Sequence, residues 1–215
     1  MVAPYLVSPV SEVLNPFGDF ATATVSVVDY ALTDAGPCAA TACVSTPAAS
    51  ELTAELDGAT QWLGVAADEI LLAALARTIA RTLGDGIVPV DIASAGRPML
   101  DAVPVACAVA QQAGATEVLG SVHRVLAVAT ERAAHGPSEV YFNYIGAVAD
   151  GPEPVQETPP AMGHALEVRV YRTGGLIHVD WWYDTNRFER YTIEELSEQF
   201  PLSLYEMTSD ALPPA

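Results

Sequence analysis

The chain has 215 residues, enough for one domain or one domain with an arm, and 51% of them are apolar, which supports a sizeable core at this length. Its 27 acidic residues face nine basic ones, all arginine, leaving a formal charge of −18, a field that repels phosphate backbones and anionic bilayers and argues against nucleic-acid or membrane-surface binding. No apolar run approaches the roughly 18 residues of a membrane span, and Met1-Val2-Ala3-Pro4-Tyr5 has no basic stretch before an apolar one, so the expected location is the cytoplasm.

Residues 1–20 carry Pro4, Pro9, Pro16 and Gly18 without periodicity and read as an arm or linker. Residues 21–31 read as a strand with Val25, Val27 and Tyr30. Residues 32–46 read as an irregular stretch or short strand around Gly36-Pro37 and Cys43-Val44. Thr46-Pro47 has the form of a helix start, a hydroxyl cap before proline, with Leu52, Leu56 and Trp62 on the inner side and Gly64 as the stop. A second helix is expected from Ala67 to Leu83. Asp68 and Glu69 suit its N-terminal dipole and Arg77 and Arg81 its C-terminal end, and Leu71, Leu72, Leu75, Ile79 and Leu83 repeat at helical spacing before Gly84.

Residues 87–92 and 103–109 read as strands, and Pro89 and Pro104 place them near an edge or a bulge. Residues 115–134 read as a third helix with Val118, Leu119, Val122, Leu126 and Ala129 inward. Residues 139–145 form an aromatic-rich strand, and 149–163, with Pro152, Pro154, Pro159 and Pro160, a surface loop. Residues 165–172 and 176–183 alternate on either side of Gly174-Gly175, which predicts a hairpin with a two-residue turn. That register sets Arg169 against Asp180, Val170 against Val179 and Val168 against Trp181. Thr192-x-x-Glu195 has the form of a capping box for a last helix, with Leu196, Phe200, Leu202 or Leu204, and Tyr205 inward. Pro201 kinks or splits it, and residues 211–215 fray as a disordered tail. The main domain is thus 21–210, and the alternation of elements predicts one α/β or α+β sandwich, a mixed sheet flanked by helices.

Four segments, in this order, carry a resemblance. They are Leu63 to Ala76, with Leu71-Leu72-Ala73-Ala74-Leu75 at its centre; Val90-Asp91-Ile92-Ala93-Ser94-Ala95-Gly96-Arg97; Phe142-Asn143-Tyr144-Ile145-Gly146; and the hairpin continuing through Trp181-Trp182-Tyr183-Asp184-Thr185-Asn186-Arg187-Phe188. Together, over about residues 23–208, they resemble the C-terminal lobe of nonribosomal-peptide-synthetase condensation and epimerization domains, of the chloramphenicol-acetyltransferase-like superfamily. The resemblance implies a single lobe of that fold. In the family two such lobes enclose a channel, and the catalytic histidine comes from a His-His-x-x-x-Asp-Gly motif on the other lobe.

That motif is not found here: His123, His135, His164 and His178 are all single, and His135-x-x-x-Glu139 is the nearest spacing. The family's Glu-Gly-His-Gly-Arg turn maps its Glu to Ala93 and its His to Ala95, and alanine cannot move a proton. The expectation is therefore a free-standing, non-catalytic half-domain in nonribosomal-peptide or related secondary-metabolite assembly, working by pairing with itself or with a separate N-terminal lobe. Two alternatives stand beside it. One is a module that binds a carrier protein, with its phosphopantetheine arm, or a product. The other is an enzyme with a different residue set, for which His178 and His164 are the candidates.

By resemblance Asn143, Tyr144, Arg97 and Trp182 line the channel. Against this, Tyr144 also reads as a core aromatic, Asn143 as closing a turn, and Arg97 as a structural ion pair rather than a phosphate binder. Trp181 and Trp182 alternate faces, so one belongs to the core and the other is left for an interface. No cofactor or metal is expected. Cys38 and Cys43 lack companions for a zinc site and read, like Cys107, as small buried hydrophobes.

Overall fold

The computed structural model describes residues 23–31, 41–95, 97–129, 138–148 and 163–214. The elements are β1 (Thr41–Thr46), α1 (Ser50–Leu63), α2 (Ala67–Thr82), β2 (Gly86–Ser94), β3 (Arg97–Cys107), α3 (Ala115–Val128), β4 (Val140–Ala147), β5 (Leu166–Thr173), β6 (Leu176–Asp184) and α4 (Arg190–Asp210). The strands form one mixed sheet in the order β1-β6-β5-β4-β2-β3, parallel at β2/β4 and β4/β5 and antiparallel at the other pairs. This is the mixed-sheet α/β architecture expected from the sequence.

The hairpin follows its chemistry. Gly174 and Gly175 take φ of 57° and 78°, the left-handed pair a two-residue turn requires. Arg169 faces Asp180, Val170 faces Val179 and Val168 faces Trp181, in the register expected. Side-chain alternation then sorts the whole sheet into two faces. Val44, Trp181, Val168, Phe142 and Ile92 stand in one row across five strands, all but the partly buried Val44 in the core. Trp181 anchors this face: its ring meets Phe200 of α4 edge-on at 5.7 Å, and its Nε1–H donates to Thr46 Oγ1 at 2.9 Å. α2 is the central helix, buried along nearly its whole length, and the wholly buried Arg77 joins it to α4 through Glu206 at 3.0 Å. Arg77 also donates to the carbonyls of Ala108 and Ala113, so tertiary contacts rather than the helix dipole fix it.

Pro89 and Pro104 face each other across β2 and β3. Neither has an N–H, so the pair falls where the ladder needs none. The pairing of β2 with β4 starts only at Val90, and β3 is an edge strand, so neither proline deletes a ladder bond.

Several local expectations give way to tertiary structure. Residues 23–31 pair with the sheet by one isolated bridge, Thr24 to Ile87, rather than as a strand, while Val27 packs into the core. Thr46 ends β1 instead of capping α1; its hydroxyl is taken by Trp181 and by the Ser197 carbonyl, and α1 begins at Ser50. The inner stripe of α1 is Leu52, Leu56, Ala59 and Leu63, which leaves Trp62 exposed. α4 begins at Arg190, two residues before Thr192, runs unbroken through Pro201, and buries Leu204 and Met207 rather than Leu202. At the start of the expected tail, Ala211 is buried and the Leu212 N–H bonds Thr116 Oγ1 at 3.0 Å. Cys107 is buried but Cys43 is exposed. The expected arm 1–20, Cys38, His135, residues 130–134 and all but Gly163 of the 149–163 loop lie outside the described residues.

Candidate functional site

The sheet face opposite Trp181 carries the chain's chemistry. Two rows cross five strands there. One is Cys43, Trp182, Glu167, Tyr141 and Asp91; the next is Ser45, Asp180, Arg169, Asn143 and Ala93. Such a face on an ordinary half-exposed sheet is solvated. Here Asp180 is fully buried, and Glu167, Arg169, Asp91 and Trp182 are all less than 9% exposed. Buried charge persists only when paired and hydrogen-bonded, and the contacts meet that requirement. Glu167 Oε1 accepts Arg169 Nε at 3.0 Å and Asn143 Nδ2 at 3.1 Å. Asp180 accepts the Ser45 hydroxyl at 2.5 Å and the Tyr171 hydroxyl at 3.0 Å. The Arg169 guanidinium lies 5.6 Å from the centroid of the Trp182 ring.

At the β2 end of the first row, Asp91 accepts the Ala102 N–H and the Ser138 hydroxyl, each at 2.7 Å, and His164 Nε2 at 2.8 Å. Burial works against its charge, but these donors outweigh it and hold its carboxyl below the usual carboxylate range. Ala102 reaches Asp91 from a left-handed backbone, φ 51°, beside the bulge between Val90 and Ile92, a conformation costing an alanine about 1–2 kcal/mol. The His164 ring stacks on Tyr141, centroids 4.8 Å apart.

The residues expected to line a channel are split by the structure. Asn143 and Trp182 belong to the polar face. Tyr144 turns the other way, packed against the core and beside the Arg172 guanidinium, because successive residues of a strand point to opposite faces. Arg97 makes ion pairs with Asp68 at 3.3 Å and Glu69 at 2.7 Å; Glu69 also takes His123 Nδ1 at 2.8 Å. Trp181 and Trp182 are both buried, so neither is left exposed for an interface. Trp182 Nε1 nonetheless has no partner among the described residues. Of the two histidine candidates, His178 stacks on Tyr171 at 5.2 Å, and His164 carries the Asp91 contact. Ala93 faces Asn143 across β2 and β4, and Ala95 lies exposed in the turn just after β2. Glu167, Asp91 and Ser45 do not stand out as site residues in the sequence; a period of two applied to β1, β2 and β5 together finds them. Among the described residues no group of three His, Cys, Asp or Glu side chains is disposed to hold a metal ion, and no helix is long and apolar enough to cross a membrane.

No family model matches the chain. The epimerization domain from the third module of tyrocidine synthetase B superposes with a TM-score of 0.64 at 16% identity, covering 87% of this chain and 52% of that one. The chain has the fold of a condensation-type lobe. The condensation domain of the monacolin K polyketide synthase superposes on this lobe with a TM-score of 0.56 at 10% identity, covering 80% of this chain and 48% of that one. In sequence, one subunit of the phenolphthiocerol/phthiocerol polyketide synthase of Mycobacterium tuberculosis and its counterpart in Mycobacterium bovis are each 34% identical over 209 residues, covering 75% of this chain. The lobe spans only 14% of the length of these curated relatives.

Proposed function

We propose that this chain serves as one lobe of a condensation-type domain in polyketide or nonribosomal-peptide assembly, and that it acts by pairing with a second lobe, in the first instance another copy of itself, rather than by catalysing epimerization or condensation alone. The observation that carries this reading is the extent of the structural match, about half of each neighbour's chain, 52% and 48%. The assembly-line context follows from the relatives, which are polyketide synthase subunits by name. The loss of independent chemistry follows from Ala93 and Ala95, which stand where the family's motif has proton-moving side chains.

A second lobe buries a face that a lone lobe leaves open, and an ordinary stable interface covers about 1,600 Å² in total. The charge of −18 opposes self-pairing, so salt strengthens it. Sedimentation at micromolar concentration and two salt levels tests the proposal; a dimer favoured by salt supports it, and a monomer under both conditions overturns self-pairing.

One observation favours a second reading, a module that binds a carrier protein or its product. Trp182 Nε1 is a buried donor with no described partner, on the same face as Arg169. A carbonyl of a carrier-borne chain would satisfy it. Titration with a carrier protein, with and without its phosphopantetheine arm, separates this reading: binding by the monomer that depends on the arm favours the module.

A further inference from the structure

The two edges of the sheet are unlike. β3 closes one end of the strand order and β1 the other. β3 carries the devices that keep an edge from pairing with another chain. It holds Arg97, Pro98, Asp101 and Pro104, its pairing with β2 slips between Val90 and Ile92 and again between Ile92 and Ser94, and Ala102 stands at a φ of 51°. β1 carries none of them. Its sequence, Thr41-Ala42-Cys43-Val44-Ser45-Thr46, has no proline and no charge, and its register with β6 runs without a bulge from Thr41–Asp184 to Thr46–Val179. In a chain of −18 it is an uncharged edge, and among the described residues no strand pairs with its outer side.

The hairpin register decides which backbone groups of β1 face outward. A two-residue turn makes Thr173–Leu176 a hydrogen-bonded pair, and such pairs recur at every second residue, so Arg169–Asp180 is one as well. The Asp184 N–H donates to the Ala165 carbonyl at 2.9 Å, as this alternation requires. The even-numbered residues of β6 thus turn their N–H and C=O to β5. Val179, Trp181 and Tyr183 turn theirs to β1, where they meet Thr46, Val44 and Ala42. Thr41, Cys43 and Ser45 are left with N–H and C=O directed away from the sheet, and Cys43 and Ser45 are exposed.

A two-fold axis at Cys43 satisfies all of these groups at once. Antiparallel pairing of β1 with β1 of a second copy sets Cys43 against its own counterpart and Thr41 against Ser45, each as a hydrogen-bonded pair. Moving the axis to Val44 sets Thr41 against Pro47, which has no N–H to give. Moving it to Ala42 carries the partner of Ser45 beyond the start of β1. The ladder itself sets no like charges opposite each other, so the charge of −18 acts across it only at longer range, where salt screens it.

We infer that β1 is the surface through which two copies of this chain pair, joining their sheets into one across a two-fold axis at Cys43. This inference rests on the self-pairing reading and names its surface.

The test follows amide hydrogen exchange of the wild-type chain by NMR, residue by residue, in high salt at a dilute and a concentrated setting, beside sedimentation of wild type and C43K. Sedimentation is expected to show a dimer in the concentrated sample. There the Thr41, Cys43 and Ser45 amides are expected to exchange about tenfold or more slowly than in the dilute one, while the amides of β3 keep their rates. C43K sets like charges opposite each other at the axis and is expected to weaken the dimer about fivefold or more. The same change lowers the net negative charge of each chain, so a general relief of repulsion would strengthen pairing instead. A wild-type dimer whose Thr41, Cys43 and Ser45 amides exchange as in the monomer overturns this surface and leaves self-pairing standing. So does a folded C43K chain that dimerises with wild-type affinity. A wild-type monomer at both concentrations overturns self-pairing and this surface together. The exchange experiment uses the wild-type chain, so it remains decisive where C43K fails to fold.

Discussion

Ala93 lies directly opposite Asn143 across the parallel β2–β4 ladder, in the row that continues through Arg169 and Asp180. A methyl group there can neither take nor give a proton, although polar side chains surround it. The purified chain alone is expected to show no epimerization or condensation of an aminoacyl-carrier substrate. Chiral analysis of the released amino acid against a denatured-protein control checks this, and turnover clearly above the control would be incompatible with it.

Glu167 and Arg169 test the polar face energetically. Both are buried, and removing either partner alone breaks their 3.0 Å ion pair where water cannot replace it. Glu167→Gln and Arg169→Met are each expected to cost about 3–5 kcal/mol, whereas the double variant costs much less than their sum. Urea denaturation of all four proteins gives the coupling. Strict additivity would show that the pair is not the unit holding this face.

The hairpin was legible in the sequence because three local signals agree on it. The Gly174-Gly175 turn, the alternation of Val168 and Val170 with charged neighbours, and the Arg169–Asp180 match all select one register. The helix starts at Thr46 and Thr192 misled for the opposite reason. A capping hydroxyl is a local signal, and at Thr46 the Trp181 indole, 135 residues away in sequence, takes the hydroxyl instead. The polar face was mostly illegible because its rows draw single residues from five strands, and its Asp91–His164 contact spans 73 residues. Alternating charge along a strand also reads as a solvated face, so its burial had no signature in any one segment.

Thr46 provides a stability test of that long-range bond. Thr46→Val keeps the shape but removes the acceptor of the Trp181 Nε1–H, leaving a buried donor unsatisfied. The expected cost is about 1–3 kcal/mol in chemical denaturation, with little change in the far-ultraviolet spectrum. An unchanged midpoint would show that Trp181 does not depend on this bond.

Asp91 predicts an acid limit. Burial raises its carboxyl, but the Ala102, Ser138 and His164 donors overcome this and its folded value is lowered. A lowered carboxyl contributes stability that is present above the unfolded value of about 3.9 and is lost as pH falls through the folded value. The stability difference between wild type and Asp91→Asn should therefore be largest near neutrality and shrink as the solution is acidified below about pH 4. Urea midpoints at several pH values check this; a difference that grows on acidification would reverse the sign and exclude the account.

The central claim is that this lobe works by pairing, and sedimentation equilibrium of the purified chain at micromolar concentration in low and high salt tests it most directly. The account predicts self-association that strengthens with salt, as screening relieves repulsion between two chains of −18 each. A single monomeric species at both salt levels would contradict it.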